Sequence, residues 1–349
     1  MKSLTPQFLD QLSYQEAHLK SIGALRQHKG EQERFTHQTP EILETLRTAA
    51  VIESTESSNR LEGITADRAR IEALALHSTN PANRPEQEIA GYRDALALVH
   101  ENYDYMEFTP NVILQCHGML TRYTDEIGGR WKTADNRIVE RLPDGKILRV
   151  RFEPVSALKT PESIEHLTEL YELAVSERRE PLVIIPLAIL DFLCIHPFKD
   201  GNGRCSRLLT LQLLYKAGYT VGRYISLERI FERTSQSYYE VLEKSSKGWH
   251  EEEHDPFPWM TYFWGILIAA SNEFQERAGT IRTLRGAKTE QIKSWVKRRI
   301  VPFAMSEVER DCPGISREMI RLVLNDLRDD GNLRLEGRGR GAKWHKTEK

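Results

Sequence analysis

The segment that most constrains this chain is His196-Pro197-Phe198-Lys199-Asp200-Gly201-Asn202-Gly203-Arg204-Cys205-Ser206-Arg207, set between two apolar runs, Leu182 to Ile195 and Leu208 to Tyr215. Both runs have the length and composition of buried helices. Pro197 cannot continue the incoming helix and pushes its predecessor out of the helical region, so the break is expected at His196. Gly201 and Gly203 then allow backbone conformations closed to other residues and a close approach to a ligand. Successive N–H groups in such a loop form an anion nest, and the following helix points its positive end at the same place. Arg204 and Arg207 are three apart, which predicts that both guanidinium groups project from one side toward that nest. Asp200 supplies a hard oxygen ligand suited to Mg²⁺ bridging phosphate oxygens. His196, at the entrance, can exchange a proton near neutral pH.

Elsewhere, composition bounds the answer. At 349 residues, 29% charged and 40% apolar, the chain has room for one large core and a smaller domain. A net charge of −2 carries no global signal for nucleic acid, so any such binding must be local. Cys116, Cys194, Cys205 and Cys312 are scattered without a CxxC pair and read as small buried hydrophobes in a reducing compartment. The N-terminus lacks the apolar core of a signal peptide, and no uninterrupted 18-residue apolar stretch occurs, so a cytoplasmic protein with no membrane partner is expected.

Before the loop, Phe8, Leu9, Leu12 and then Leu19, Ile22, Leu25 suggest helical stripes, and Ile42 to Ile52 continues with helical spacing. Ser58 and Glu62 follow, four apart and hence on one helical face, with Gly63 as a helix stop. Glu86 to His100 and Thr109 to Tyr123 read as helices, with His117 a satisfied core histidine. Between Ile138-Val139 and Ile147-Leu148-Val150, Asp144-Gly145 is a hairpin signal. Pro161 to Val175 is a further helix, and Gly218 ends the helix after the loop. Helices over Ser226 to Phe231, Thr234 to Ser246 and Pro258 to Phe274 follow, with a solvated acidic turn around His254. Residues 279 to 289 read as a linker.

The last stretch has its own pattern. A helix over Ile292 to Phe303, a capping box at Ser306 and Glu309, a turn at Pro313-Gly314 and a helix from Ser316 precede the strands at Leu333-Arg334-Leu335 and Lys343-Trp344-His345. Helix-turn-helix plus hairpin resembles a winged helix. Arg317 and Arg321 would lie on its recognition helix, and Arg338 and Arg340 on its wing. Such a module serves DNA binding or protein docking, and Asp326, Asp329 and Asp330 weigh against the former.

The loop matches every defined position of HPFx[D/E]GNGRxxR, and in this it resembles the Fic family; the likeness runs from about residue 40 to 280. The resemblance implies a mainly α Fic-fold helical bundle with a small β-hairpin flap, to which the C-terminal winged helix is added. The domains would be 1–110, a helical region with an inhibitory motif; 111–280, the Fic core; and 290–349, the winged helix. The implied activity is transfer of AMP from ATP, with Mg²⁺, to a Ser, Thr or Tyr hydroxyl of a target protein, with self-modification and a homodimer left open. His196 would be the base, and Asp200 the metal ligand. Gly201, Asn202, Gly203 and Arg204 would cradle the α- and β-phosphates, and Tyr238 would contact the adenine. Ser58 and Glu62 match the family's [S/T]xxxE[G/N] inhibitory motif, in which the glutamate takes the second arginine of the loop, here Arg207, from the γ-phosphate. The flap would hold an extended target segment by strand addition. Rival readings are a different nucleotide donor, an enzyme that also removes AMP, and a DNA-binding regulator whose Fic domain senses nucleotide.

Overall fold

In a computed structural model of the chain, the described residues are 3–347 except 39, 78, 142–145, 300, 313–314 and 338–341. The chain divides into two compact units, Met1–Gln275 and Glu276–Lys349. The first opens with α1 (Pro6–Gln11), α2 (Glu16–Gln38), α3 (Pro40–Arg60), α4 (Arg68–Ala75), α5 (Arg84–Asn102) and α6 (Pro110–Leu120). Strands β1 (Ile138–Arg141) and β2 (Ile147–Phe152) follow, then α7 (Thr160–Ser176), α8 (Pro181–Ile195), α9 (Asn202–Lys216), α10 (Leu227–Arg233) and α11 (Ser235–Ser246). Helix α12 spans Phe257–Arg298, and α13 (Met305–Asp311), α14 (Arg317–Asp329), β3 (Leu333–Glu336) and β4 (Lys343–Lys346) belong to the second unit.

Helix α8 is the axis of the first unit because it is apolar all round, as a helix must be when neighbours surround it. It packs against α7, α9 and α11, while α9 also meets α3, α5 and α6. Pro186 sits inside α8 and has no N–H to give the carbonyl of Leu182 one turn earlier. The indole of the buried Trp264 supplies the missing donor, its Nε1 lying 2.7 Å from the Leu182 oxygen. Trp259 Nε1 likewise donates to the Pro186 carbonyl at 2.7 Å. The proline in α8 is thus tolerated because Trp264 of α12 satisfies the Leu182 carbonyl that the missing N–H would otherwise leave orphaned in the core, while Trp259 adds a further donor beside it. After α9, Gly218 (φ +80°) ends the helix as its spacing predicts, with Gly218 N donating to Tyr215 O at 2.8 Å and Tyr219 N to Leu214 O at 2.8 Å.

Several local expectations change. The acidic turn does not leave His254 in solvent: the ring is buried, stacks on Phe8, and its Nε2 lies 3.0 Å from Ser3 Oγ. Ser3 Oγ also donates to Asp191 Oδ1 at 2.5 Å, and Trp249 Nε1 donates to the same oxygen at 2.6 Å. A buried polar cluster therefore ties the N-terminal segment to α8. Leu19, one of the predicted stripe residues, is exposed. The predicted linker over 279–289 has helical backbone within α12, and the helix expected over 292–303 is the end of α12, which stops at Arg298. The capping box predicted at Ser306 and Glu309 does not form: α13 is capped at Ala304, whose N–H donates to Glu307 Oε1 at 3.1 Å, and alanine has no side-chain acceptor to return the bond. Ser316 caps α14 as expected, accepting from Met319 N at 3.3 Å. All four cysteines are buried free thiols. No helix among the described residues is long and apolar enough to cross a membrane.

The two hairpins are short. β1 and β2 pair antiparallel, Val139 opposite Val150 and Glu140 opposite Arg149, with irregular register on either side. The predicted Asp144-Gly145 turn lies outside the described residues, as do the Pro313-Gly314 turn and the wing arginines Arg338 and Arg340. β3 pairs antiparallel with β4, and Trp344 joins Phe303, Val308, Ile320 and Leu324 in the core of the second unit.

Burial pushes the Asp191 carboxyl up to about 6. A carboxyl raised above its unfolded value weakens the fold progressively as pH climbs from about 4 to about 6, because the native state must give up a proton inside the core. Asp191→Asn keeps an acceptor for both Ser3 and Trp249. Its melting temperature relative to the native sequence should rise between pH 4 and pH 7, by the equivalent of about 2–3 kcal/mol. A pH-independent difference in thermal scans would contradict this account.

Candidate active site

The break after α8 places the loop at the junction of two buried helices. His196 caps α8 in the left-handed region (φ 51°, ψ 61°), a conformation that costs a non-glycine residue about 1–2 kcal/mol. Its Nδ1 lies 3.3 Å from the Leu193 carbonyl. Since a carbonyl can only accept, that contact assigns the proton to Nδ1 and leaves Nε2 with a free lone pair. Burial lowers the ring to about 4, aided by the cationic Lys132, while the Leu193 carbonyl, Glu62 and Asp200 act in the opposite sense. The imidazole is therefore neutral at pH 7, the protonation state a base requires.

The turn itself is built from reciprocal bonds. Asn202 Oδ1 accepts from Phe198 N at 2.9 Å, and its Nδ2 donates to Phe198 O at 2.8 Å. Gly201 enters α9 with φ +78°, and no side chain caps the helix there. The first-turn N–H groups of α9 are consequently available to an anion. At Gly203 an added Cβ would overlap the Glu62 carboxylate, so this glycine is needed for close approach.

Residues far away in sequence complete the loop. His117 Nδ1 accepts from Gly129 N at 3.0 Å, which makes Nε2 the protonated nitrogen and the donor to Asp200 O at 3.0 Å. Its ring stacks on Phe198 with centroids 3.7 Å apart. The histidine is a satisfied core residue, as predicted, but what it satisfies is the loop. Lys132 Nζ donates to Ile195 O at 3.0 Å and to Asn136 Oδ1 at 2.8 Å, and Lys132 N donates to Pro197 O at 2.8 Å. Asn136 Nδ2 reaches Phe198 O at 3.0 Å and His196 O at 3.3 Å. No periodicity or motif singled out Lys132 or Asn136.

The arginines part company. Arg207 is buried; its Nη2 donates to Glu62 Oε1 at 2.9 Å and to Ser58 O at 2.8 Å, and its Nε donates to Ser58 Oγ at 2.8 Å. Glu62 makes a single contact with Arg207, whose Nε is taken by the Ser58 hydroxyl. Burial acts to lower Arg207, but the Glu62 carboxylate, with Tyr238 and Tyr92 acting in the same sense, outweighs it and holds the guanidinium above its ordinary range. Glu62 itself lies beyond the end of α3, in a terminal turn closed by Glu62 N to Asn59 O at 3.0 Å and Gly63 N to Arg60 O at 2.9 Å. Helix α3 is fixed from its other side: Ser54 Oγ donates to the buried Glu228 at 2.7 Å, and Arg229 Nε to Glu53 at 2.9 Å.

Arg204 points elsewhere. Its Nη1 lies 2.8 Å from Glu88 Oε2 and its Nη2 3.6 Å from Asp200 Oδ2. A cavity of about 300 Å³ is lined by Arg204, Asp200, Gly201, Lys199, Arg130 and His117. A second, of about 450 Å³, is lined by His196, Gly203, Arg207, Glu62, Tyr238 and Tyr239, with Ile138 and Val139 of β1. The two guanidinium groups therefore face different cavities, where three-residue spacing predicted a shared one. Tyr238 lines the second cavity but is buried among Phe231, Trp259 and Tyr262, whereas Tyr239 is the more accessible ring, its hydroxyl 3.4 Å from Leu61 O. Asp200 keeps an exposed carboxylate. Among the described residues no cluster of three or more His, Cys, Asp or Glu could hold a metal by itself. One carboxylate suits Mg²⁺, which takes its remaining ligands from phosphate and water.

Residues 107–214 match the family model described as Fic/DOC family. That stretch resembles a Fic domain. A stretch of 138 residues is 32% identical to "Protein adenylyltransferase Fic" of Drosophila virilis, covering 38% of this chain and 25% of that protein. The Drosophila erecta protein of the same name is 31% identical over 138 residues, with the same coverage. The chain thus spans about a quarter of the length of these relatives. Among solved structures, a Fic family protein from Desulfovibrio desulfuricans G20 superposes with a TM-score of 0.64 at 19% identity, covering 97% of this chain and 98% of that one. A Fic domain containing signaling protein from Bacteroides thetaiotaomicron reaches 0.61 at 20% identity, over 74% and 98%. The mainly helical architecture with a small hairpin is accordingly that of Fic structures.

The Asn202 side chain is the brace of the loop, so Asn202→Ala orphans the buried Phe198 N–H and leaves Phe198 O to Asn136 alone. Global stability should fall by about 1–3 kcal/mol, read from the urea midpoint. An unchanged midpoint would show that the loop does not depend on that brace.

Proposed function

We propose that this chain transfers AMP from ATP to a hydroxyl of a target protein. The observation that carries the reading is one cleft that holds a neutral histidine with a free Nε2, the uncapped glycine turn of α9 and the Arg207 guanidinium. His196 Nε2 takes the proton of the attacking hydroxyl. The oxygen forms a bond to the α-phosphorus as the bond to the bridging oxygen of pyrophosphate breaks. The first-turn N–H groups over Asn202, Gly203 and Arg204 balance the phosphate charge, and the anion would in turn raise the basicity of His196. Asp200 would hold Mg²⁺, which neutralises charge on phosphate oxygens when bound. Fic relatives named adenylyltransferases support the AMP reading over another donor. Tyr238 and Tyr239 would pack the base from one wall of the cleft.

The pairing of Arg207 with Glu62 and Ser58 supports autoinhibition. The guanidinium that would anchor the γ-phosphate is engaged by a carboxylate, and misplacing a phosphate chain by an ångström costs orders of magnitude in rate. AMP incorporation at matched ATP and Mg²⁺ should rise about tenfold or more in Glu62→Gly. His196→Ala in that background should abolish transfer while ATP still binds. Equal rates for Glu62→Gly and the native sequence would sink autoinhibition; a lower rate would point to a role for Glu62 in removing AMP.

A second reading concerns the second unit. On α14, Arg317, Arg321 and Arg328 recur along exposed positions, and the helix is followed by the β3–β4 hairpin, an order that supports a winged helix contacting phosphate. Arg317 pairs with Glu309 at 3.1 Å and Arg328 with Asp329 at 2.8 Å, so part of that charge is already committed. If this helix reads DNA, affinity should drop steeply with salt and again in Arg317→Ala/Arg321→Ala. No binding to duplex at low salt leaves protein docking as its role.

A further inference from the structure

At the end of the buried helix α8, Phe192 O accepts from His196 N at 2.9 Å and Leu193 O lies 3.3 Å from His196 Nδ1, which leaves Ile195 O and the loop carbonyls of His196 and Phe198 to other donors. The segment leading into the flap donates to all three. Lys132 Nζ reaches Ile195 O at 3.0 Å, Asn136 Nδ2 reaches His196 O at 3.3 Å and Phe198 O at 3.0 Å, and the two side chains bond each other at 2.8 Å. Lys132 is itself buried, and Asn136 lies just before β1 begins at Ile138.

We propose that Lys132 and Asn136 are positioning residues for His196, capping the C-terminus of α8 so that the imidazole is held in its left-handed geometry and kept neutral. The inference rests on His196 being the base. An ammonium at a helix C-terminus is favourable because the helix dipole is negative there. The same charge, close to His196, opposes a second cation on the ring. Burial brings Lys132 itself down to about 8, so it is charged at neutral pH and its charge beside the ring is lost as pH rises through 8. The other charges around His196 are Glu62 from the end of α3, Asp200 from the loop and Arg207 from α9, with Glu140 and Arg151 of the flap and Glu243 of α11 across the cleft. None of these donates to the carbonyls that Lys132 and Asn136 hold. Because both residues belong to the strand approach, a target segment laid on the flap would bear on the same clamp.

The test separates charge from geometry. In the full chain, His196 is titrated by NMR with labelled histidine and assigned by its loss in His196→Ala. Lys132→Met should raise the His196 pKa by roughly one unit, Lys132→Arg should restore most of it, and Asn136→Ala should leave it in place. Self-incorporation of AMP from α-labelled ATP, in the Glu62→Gly background, should fall about tenfold or more in both Lys132→Met and Asn136→Ala with ATP affinity unchanged. An unmoved titration in Lys132→Met, or undiminished incorporation in Asn136→Ala, would overturn the proposal. Should Lys132→Met fail to fold, Asn136→Ala and Lys132→Arg still decide it. The expected titration shifts in a chain that never transfers AMP would sink the transferase reading and leave the clamp standing.

Discussion

Everything at the site depends on where a buried helix is allowed to stop. Helix α8 runs through the centre of the first unit, and a helix that ends in a core leaves polar carbonyls with no solvent to donate to them. The chain resolves this by turning at once into α9 and by bringing Lys132, Asn136, Asn202 and His117 to the turn as donors and acceptors. A non-glycine residue can occupy the left-handed region at His196 because the surroundings over-determine it. Strain, tautomer and neutrality of the imidazole are consequences of one packing requirement.

A second buried charge organises the other side of the cleft. Arg207 would be intolerable in the core without a counter-charge and hydrogen-bond acceptors, and the end of α3 supplies both through Glu62 and Ser58. Because Glu62 lies in the terminal turn, part-exposed, the ion pair is held at one end by a rigid helix and at the other by a short, looser turn. Arg204 has its own carboxylate, Glu88, and faces a separate cavity. Two arginines one helical turn apart thus have different partners, and their roles need not be shared.

Much of both units was legible in the sequence. The loop, its break at His196, the glycine turn, the helix stops at Gly63 and Gly218, the cap at Ser316 and the hairpin strands all depend on local chemistry: φ restriction by proline, positive φ at glycine, side-chain capping and alternation. Errors arose where local signals were weak or contradicted. Residues 279–289 contain glycine and threonine, which suggested a linker, yet the backbone stays helical within α12. His254 sits in an acidic turn that looks solvated, but Ser3 and Phe8 come from the far end of the chain to cover it.

What the sequence by itself determined is the chemistry available: a histidine at a helix break, a glycine turn, a loop carboxylate and two arginines. These are set by neighbours within one turn, so they can be read from spacing alone. The tertiary structure decided which atoms are free to use that chemistry. The proton on His196 is placed by Leu193 and its basicity is lowered by burial and by Lys132. Arg207 is engaged by a helix that precedes it by well over a hundred residues, Nε to Ser58 Oγ spanning 149 positions. Those effects act through space at a few ångströms, and a linear pattern holds no record of which distant groups will be brought that close.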